Sequence, residues 1–463
     1  VSFPVVSQSE GARARRWDAV IVGSNIPALV LAARLGMAGN RVLVVEEEAA
    51  RTSFAGLREP FYLAGARGGG VLEHSLKELT LSLLDRRRIE DEEVSYQLVA
   101  EQLRADIGRP ELTAEELVAW SLCKPDTAHA LVRNVHEASE VERKIMLSTP
   151  LVRVGRRMSR ARTGVEGSHR RGLPAEAAHA EADLARVLKA QVRALSNLAT
   201  TTPGPEAQAR LLGSALSGGV GFPEGGPWLH EMLRRRVESV FGEFRTLSRK
   251  FRLVSVMNQP GVSVAGSNEI WAGRLLVVAA PTTAVAGVLE AKDTPEFLKH
   301  PRTTRRRINV HLRVHRDVLP EGMAKRVILL PGDPSSDVEQ LATLSVFARE
   351  NDPKHRDVVL RGLAREGEEP ETVASELRDR ALELMPFHHD KIEDIPVKVP
   401  RWDDDHLLED PLRGACWPGE IDLRASAKLP VHLLDRAFVG GLGLEGDLLL
   451  GLRAGEILRR ELE

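Results

Sequence analysis

The chain has 463 residues, 43% of them hydrophobic and 28% charged, with a formal net charge of −2. That length predicts two interleaved domains, and the near-neutral balance excludes a general electrostatic pull toward nucleic acid or anionic membrane. Two cysteines, Cys123 and Cys416, exclude a disulfide framework and a four-cysteine metal site. No run reaches the roughly 18 apolar residues of a spanning helix, so a cytoplasmic protein is expected.

In chain order, DAVIVG (18–23) reads as an apolar strand ending at a glycine. Asn25 is placed to cap the next helix, Pro27 suits its first turn, and Ala28, Ala32 and Ala33 let it lie close on a sheet. Gly39-Asn40 ends that helix, and RVLVVE (41–46) is a second parallel strand. From about 75 to 215 the pattern predicts amphipathic helices around 76–87, 92–105, 113–122, 126–148 and 175–197. Residues 153–172 carry seven arginines against one glutamate, which predicts a solvated loop or a surface for an anionic lipid or acidic partner.

Further on, 219–256 predicts a glycine turn, a helix and strand pieces, and 274–289 a buried strand entering a small-residue helix. RINVHLRVHRDVLP (307–320) alternates like a half-exposed antiparallel strand, followed by strands at 326–331 and 342–348 and a helix around 370–385. The last unit, 436–462, reads as strand, glycine turn and helix.

The first unit is the natural place for chemistry. A parallel strand feeding a helix aims free N–H groups and the positive dipole end at one point, where a pyrophosphate can sit. A dinucleotide motif is G-x-G-x-x-G; here it is Gly23-Ser24-Asn25-Ile26-Pro27-Ala28. Gly23 supplies the tight turn and Ala28 the close helix–strand contact, while the Asn25 side chain stands where phosphate oxygens should approach. Glu46, 23 residues after Gly23, is placed to accept ribose hydroxyls and repel a 2′-phosphate, which points to FAD or NAD rather than NADP.

Strand, glycine turn, alanine-rich helix and VLVVE resemble the N-terminal unit of the FAD-dependent oxidoreductases of the phytoene desaturase, protoporphyrinogen oxidase and monoamine oxidase superfamily. Phe222-Pro223-Glu224-Gly225-Gly226 resembles that family's P-x-G-G turn. Gly242 to Thr246 is similar to its next segment, with Lys250 near the adenine position. Phe438 to Gly446, containing Gly440, Gly441 and Glu445, resembles its final flavin turn.

The resemblance implies an α/β fold: a Rossmann-type FAD/NAD(P)-binding domain built from discontinuous segments (16–75, 216–292, 401–463). A second α+β substrate domain would supply helices (76–215) and an antiparallel sheet (293–400). It implies FAD held by Gly23, Ser24, Asn25, Ala28, Glu46, Arg51, Lys250, Gly440, Gly441, Glu445 and Gly446. Three places depart from the family pattern. Asn25 replaces a glycine, the run to Arg58 has only Gly56 where R-x-G-G-R is usual, and Gly441 stands where an acid is usual. Each lost charge-assisted contact weakens FAD binding by roughly 1.5–3 kcal/mol. Arg51, Arg58 and Arg67 are candidates to replace the missing arginine, and the helix opened by Gly443 to Gly446 would aim N–H groups at the flavin N1–C2=O edge.

Two functions follow as expectations. One is FAD-dependent hydride abstraction from a C–H bond of a hydrophobic substrate; scarce aromatics argue against an amine-binding aromatic cage. The other is a flavin-free relative that binds a hydrophobic ligand or a protein, as Rab GDP-dissociation inhibitors do. No side chain is assigned as catalytic base. HExxH and G-x-S-x-G motifs are absent, and His388-His389-Asp390 lacks a third histidine, so no metal site is expected. Cys416 reads as a structural thiol, and His74 lies near where flavin and substrate would meet.

Overall fold

The structure is a computed structural model that describes residues 13–148, 152–158, 172–222, 228–247, 251–264, 268–281, 303–331, 340–387, 389–398, 407–410, 421–426 and 428–463. The first unit forms as the sequence predicts, with strand Arg13–Val22, helix Ile26–Met37 and strand Val42–Glu47, the two strands parallel. Ala19, Ala28, Ala32 and Ala33 are wholly buried, so small side chains bring the helix down onto the sheet.

This sheet has seven strands. Its order runs 251–256, 259–264, 269–278, 13–22, 42–47 and 243–247, and Val431–Leu433 pairs in parallel with Glu269–Val278. It therefore collects strands from the beginning, middle and end of the chain. The final helix, Gly443–Leu462, packs along Ile26–Met37. A side chain at Gly451 would come within 2.6 Å of the Pro27 carbonyl oxygen, so glycine permits that approach.

A second sheet has eight strands, in the order 392–395, 304–315, 355–363, 342–348, 326–329, 94–100 and 103–108, with 407–409 added beside 304–315. Strand alternation gives it two different faces. Val310, Leu312, Leu344, Val358 and Leu360 pack with Leu377 and Ala381 of helix Pro370–Leu384. The opposite face carries His311, Thr343, Ser345, Asp357 and Arg361, all buried and polar. That polar face meets the segment that follows strand Val42–Glu47. Arg361 Nη2 donates to the carbonyls of Gly56 (2.7 Å) and Glu59 (3.2 Å), and the His311 ring stacks on Phe54 at 4.5 Å.

Two expectations are corrected. Residues 92–105 are not helical but belong mainly to a hairpin, Val94–Ala100 with Leu103–Gly108. Tyr96, Leu98, Ala105 and Ile107 are its buried side, a two-residue alternation that nearby charges disguise as a helical period. The last strand lies earlier than expected, at Val431–Leu433, and Arg436–Leu442 is a 3-10 turn started by the Asp435 carboxylate accepting from the Ala437 N–H. Among the described residues no helix is long and apolar enough to cross a membrane.

Candidate functional site

The glycine turn forms as read. Gly23 has φ +108°, and a Cβ there would sit 3.1 Å from Ala279 C and Ala280 N, so the position requires glycine on two counts. Asn25 caps the helix, its Oδ1 accepting from the Ala28 N–H at 3.1 Å. Its Nδ2 donates to the Ala279 carbonyl at 2.6 Å. The amide therefore spans from the helix end to the neighbouring strand, across the place where a phosphate would approach.

Glu46 is fully buried and already satisfied. Both its oxygens accept from Arg234 Nη1, at 3.0 and 2.8 Å, and Oε2 also accepts from Ser24 Oγ at 3.2 Å. Arg234 comes from helix Leu229–Ser239 and lies 3.9 Å over the Phe244 ring. Arg58 Nη2 donates to the Ser24 carbonyl (3.0 Å) and Oγ (2.9 Å). His230 Nε2 lies 2.9 Å from the same carbonyl, so the shared proton is on that nitrogen.

A dinucleotide needs an accessible acid for its ribose and an open helix N-terminus for its pyrophosphate. Here Arg234 occupies the acid, Asn25 occupies the helix end, and Arg58 and His230 lie on Ser24. A dinucleotide entering this cradle would have to displace these protein partners.

The remaining sequence candidates scatter. Arg51 is exposed on the short helix Glu48–Thr52, whereas Arg67 pairs with Asp91 at 2.8 Å, away from the cradle. Of the three arginines offered as replacements, only Arg58 reaches the glycine turn. Gly440 and Gly441 lie buried in the 3-10 turn, where the Gly440 carbonyl accepts from Asn197 N–H at 2.8 Å. Glu445, in the first turn of the last helix, is held bidentately by fully buried Arg210. Burial alone would lower the Arg210 pKa, but the Glu445 carboxylate holds it above its ordinary value. Gly446 lies against the Val439 carbonyl and serves packing. His74 is half-buried on helix Val71–Glu78, and His389 opens a 3-10 turn. Among the described residues no group of three or more His, Cys, Asp or Glu side chains is arranged to hold a metal ion. Lys250, Cys416, His388, Pro223 to Gly226 and most of the arginine-rich segment lie outside the described residues.

Beside the cradle a cavity opens between the two sheets. Leucines from the 57–72, 195–211 and 341–363 regions and from the last helix form much of its wall. Arg58, Arg193, Arg307, Arg361 and Arg436 also line it, against Glu59, Glu445 and Asp447. Asp447 is paired with Arg436 and accepts from Asn197 Nδ2 at 3.2 Å. Tyr62 donates to the Ser214 carbonyl at 2.7 Å, and burial pushes its phenol up, so it is a donor and not a base near neutral pH.

Glu59 is the unusual acid. It accepts from the Leu229 (2.9 Å) and His230 (3.2 Å) N–H groups at the start of their helix. Burial pushes its carboxyl up from 4.5 to about 7, although those two bonds and the Arg361 and Arg326 charges pull it down.

Sequence reasoning named neither Glu59 nor Arg193, Arg210, Arg234, Arg307, Arg361, Arg436 or Asp447. One signal was present: Arg361 interrupts the apolar run VVLRGLA, and a lone arginine in a buried strand needs a partner.

The architecture is that of the flavin-dependent oxidoreductases. An oxidoreductase from Methanosarcina mazei is similar over 95% of this chain and 99% of its own, at 15% identity and TM-score 0.56. Cyclohexylamine oxidase from Brevibacterium oxydans is similar over 96% and 99%, at 12% identity and TM-score 0.53. A double mutant of putrescine oxidase matches over 97% and 99%, at 12% identity and TM-score 0.55. The last two are flavin amine oxidases, and at such identities the likeness establishes the fold alone. No protein-family profile matches the chain, and no curated protein matches it.

Proposed function

We propose that this chain is a ligand-binding member of the flavin-oxidoreductase fold, holding a hydrophobic small molecule in the interdomain cavity without a dinucleotide. The observation that carries this reading is the contrast between two neighbouring places. The cradle is filled by Asn25, Arg58, Arg234 and His230, and the leucine-walled cavity beside it is open. Buried, mutually satisfied polar groups resist displacement, whereas the leucine part of the cavity wall gains by being covered.

A second reading, FAD-dependent oxidation of a hydrophobic substrate, is favoured by the fold shared with known oxidases. FAD would supply the redox chemistry, and Arg234 and Arg58 would first have to leave Glu46 and Ser24. A visible absorbance spectrum of gently purified protein, before and after excess FAD and desalting, separates the two. A colourless protein that returns colourless supports the ligand-binding reading. Stoichiometric retained flavin bands overturn it in favour of the oxidoreductase.

A further inference from the structure

We infer that the interdomain cavity selects an aliphatic ligand carrying a carboxylate or phosphate head, resting on the reading above that the cavity takes a ligand at all. The wall sets the charge. Five guanidiniums line it against three carboxylates, and one of those carboxylates, Glu445, brings its own cation in Arg210 from behind the wall. A second, Glu59, has a pKa of about 7 and is therefore partly protonated near neutral pH. The balance of the described wall is positive, and in a partly dry cavity that positive field favours an anion more strongly than it would in water.

The register of the second sheet shows why the cations gather there. Arg307 is paired with Leu363, Asn309 with Arg361, and Thr343 with Arg361 on the other side. Alternation places Arg307, Arg361 and Thr343 on one face of three adjacent strands, the face opposite helix Pro370–Leu384. Arg193 enters from helix Ala182–Leu195, and Arg58 from the wall shared with the cradle. Guanidinium forks match the paired oxygens of a carboxylate or phosphate better than any other side chain does.

The apolar part of the wall sets the body of the ligand. Leu57, Leu195, Leu211, Leu341, Leu442 and Leu448 all line the cavity. The only aromatic rings among its described lining are Phe61 and Tyr62, and the Tyr62 hydroxyl is committed to Ser214. Leucine walls suit an aliphatic chain, whereas a stacked nucleobase wants flat ring surfaces on its faces.

The test is isothermal titration of the full chain with decanoate, decyl phosphate, decanol and decylamine, and with acetate and inorganic phosphate as head groups alone. The expected result is saturable binding of decanoate or decyl phosphate, whichever head fits better, at least about tenfold tighter than decanol or decylamine, with the bare heads weaker still. Arg307→Gln, confirmed folded by circular dichroism, should lose about tenfold for the anionic decyl probes and leave decanol unchanged. Arg193→Gln is the second variant should the first not fold. Decanol binding as tightly as the anionic probes overturns the charge selectivity and leaves the hydrophobic-ligand reading standing. Acetate or phosphate binding as tightly as their decyl forms overturns the aliphatic part. No saturable binding of any decyl probe overturns both this inference and the reading beneath it.

Discussion

Glu59 offers the most direct quantitative check of the site, because its chemistry changes in an accessible pH range. The carboxyl is buried, receives two helix N–H bonds and still has its pKa raised from 4.5 to about 7, chiefly by burial. The folded protein therefore holds a proton there that the unfolded chain releases at lower pH. The stabilisation is fully present below the unfolded value of 4.5 and is lost as pH rises through about 7. The gap between those values, at about 1.36 kcal/mol per pH unit, gives roughly 3 kcal/mol, most of it lost between about pH 5 and about pH 8.

Glu59→Gln removes the titration but keeps the shape. Its carbonyl can accept one of the two N–H bonds while its amide faces the other donor, a pH-independent cost of roughly 1–3 kcal/mol. Urea unfolding of both proteins across this pH range reads the difference. The variant should be less stable than the wild type near pH 5, and the gap should close by about 2–3 kcal/mol toward pH 8. A gap that stays constant, or widens with pH in favour of the wild type, refutes the assignment of a raised pKa to this carboxyl.

Three further outcomes follow from the packing. Arg234→Ala strands the buried Glu46 carboxylate and should cost about 3–5 kcal/mol in thermal or urea unfolding, and pairing it with Glu46→Leu should recover most of that loss. Gly451→Ala drives a methyl to 2.6 Å from the Pro27 carbonyl and 2.7 Å from Val30 Cβ, so about 1–3 kcal/mol should be lost in the same assay. Arg361→Met removes the donor to Gly56, Glu59 and Ser345 and one of the charges that lower the Glu59 pKa. The Glu59 transition, followed as the pH dependence of unfolding, should then move upward; a downward move would contradict the placement of that charge.

Local signals carried the fold far. The apolar strand ending at Gly23, the Asn25 cap, Pro27 in the first turn and the all-apolar second strand act within a few residues of one another, so the unit was legible. The 94–108 hairpin was not, because its two-residue period is short and its helical look comes from charges at its ends. Closure of the cradle was half legible. Asn25 announced itself by replacing a glycine, but the partner of Glu46 lies 188 residues away in a helix where LRRR looks like a solvated face. Nothing in the spacing of Arg234 marks it as the residue that turns inward. The cavity cations were least legible, since Arg307 and Arg361 share a face only through strand register, a long-range property.

The segment from Phe54 to Tyr62 explains why a closed cradle and an open cavity occur together. The resemblance matches the stretch from Glu47 to Arg58 to the family's pyrophosphate-gripping R-x-G-G-R; here the end of that stretch and the residues after it form a wall between two spaces. Arg58 lines the cavity together with Leu57, Glu59 and Phe61, and its guanidinium also fastens onto Ser24 of the cradle. Both sides are anchored from outside the segment. Arg361 holds the Gly56 and Glu59 carbonyls, helix Leu229–Ser239 holds the Glu59 carboxylate, and Phe54 lies stacked on His311 and edge-on to Trp228. Helix Leu229–Ser239 also supplies Arg234 and His230, the residues that occupy the cradle from its far side. One wall and one helix therefore set both states. A change that reopened the cradle for a dinucleotide would have to move the same helix that holds Glu59, and with it the lining of the cavity.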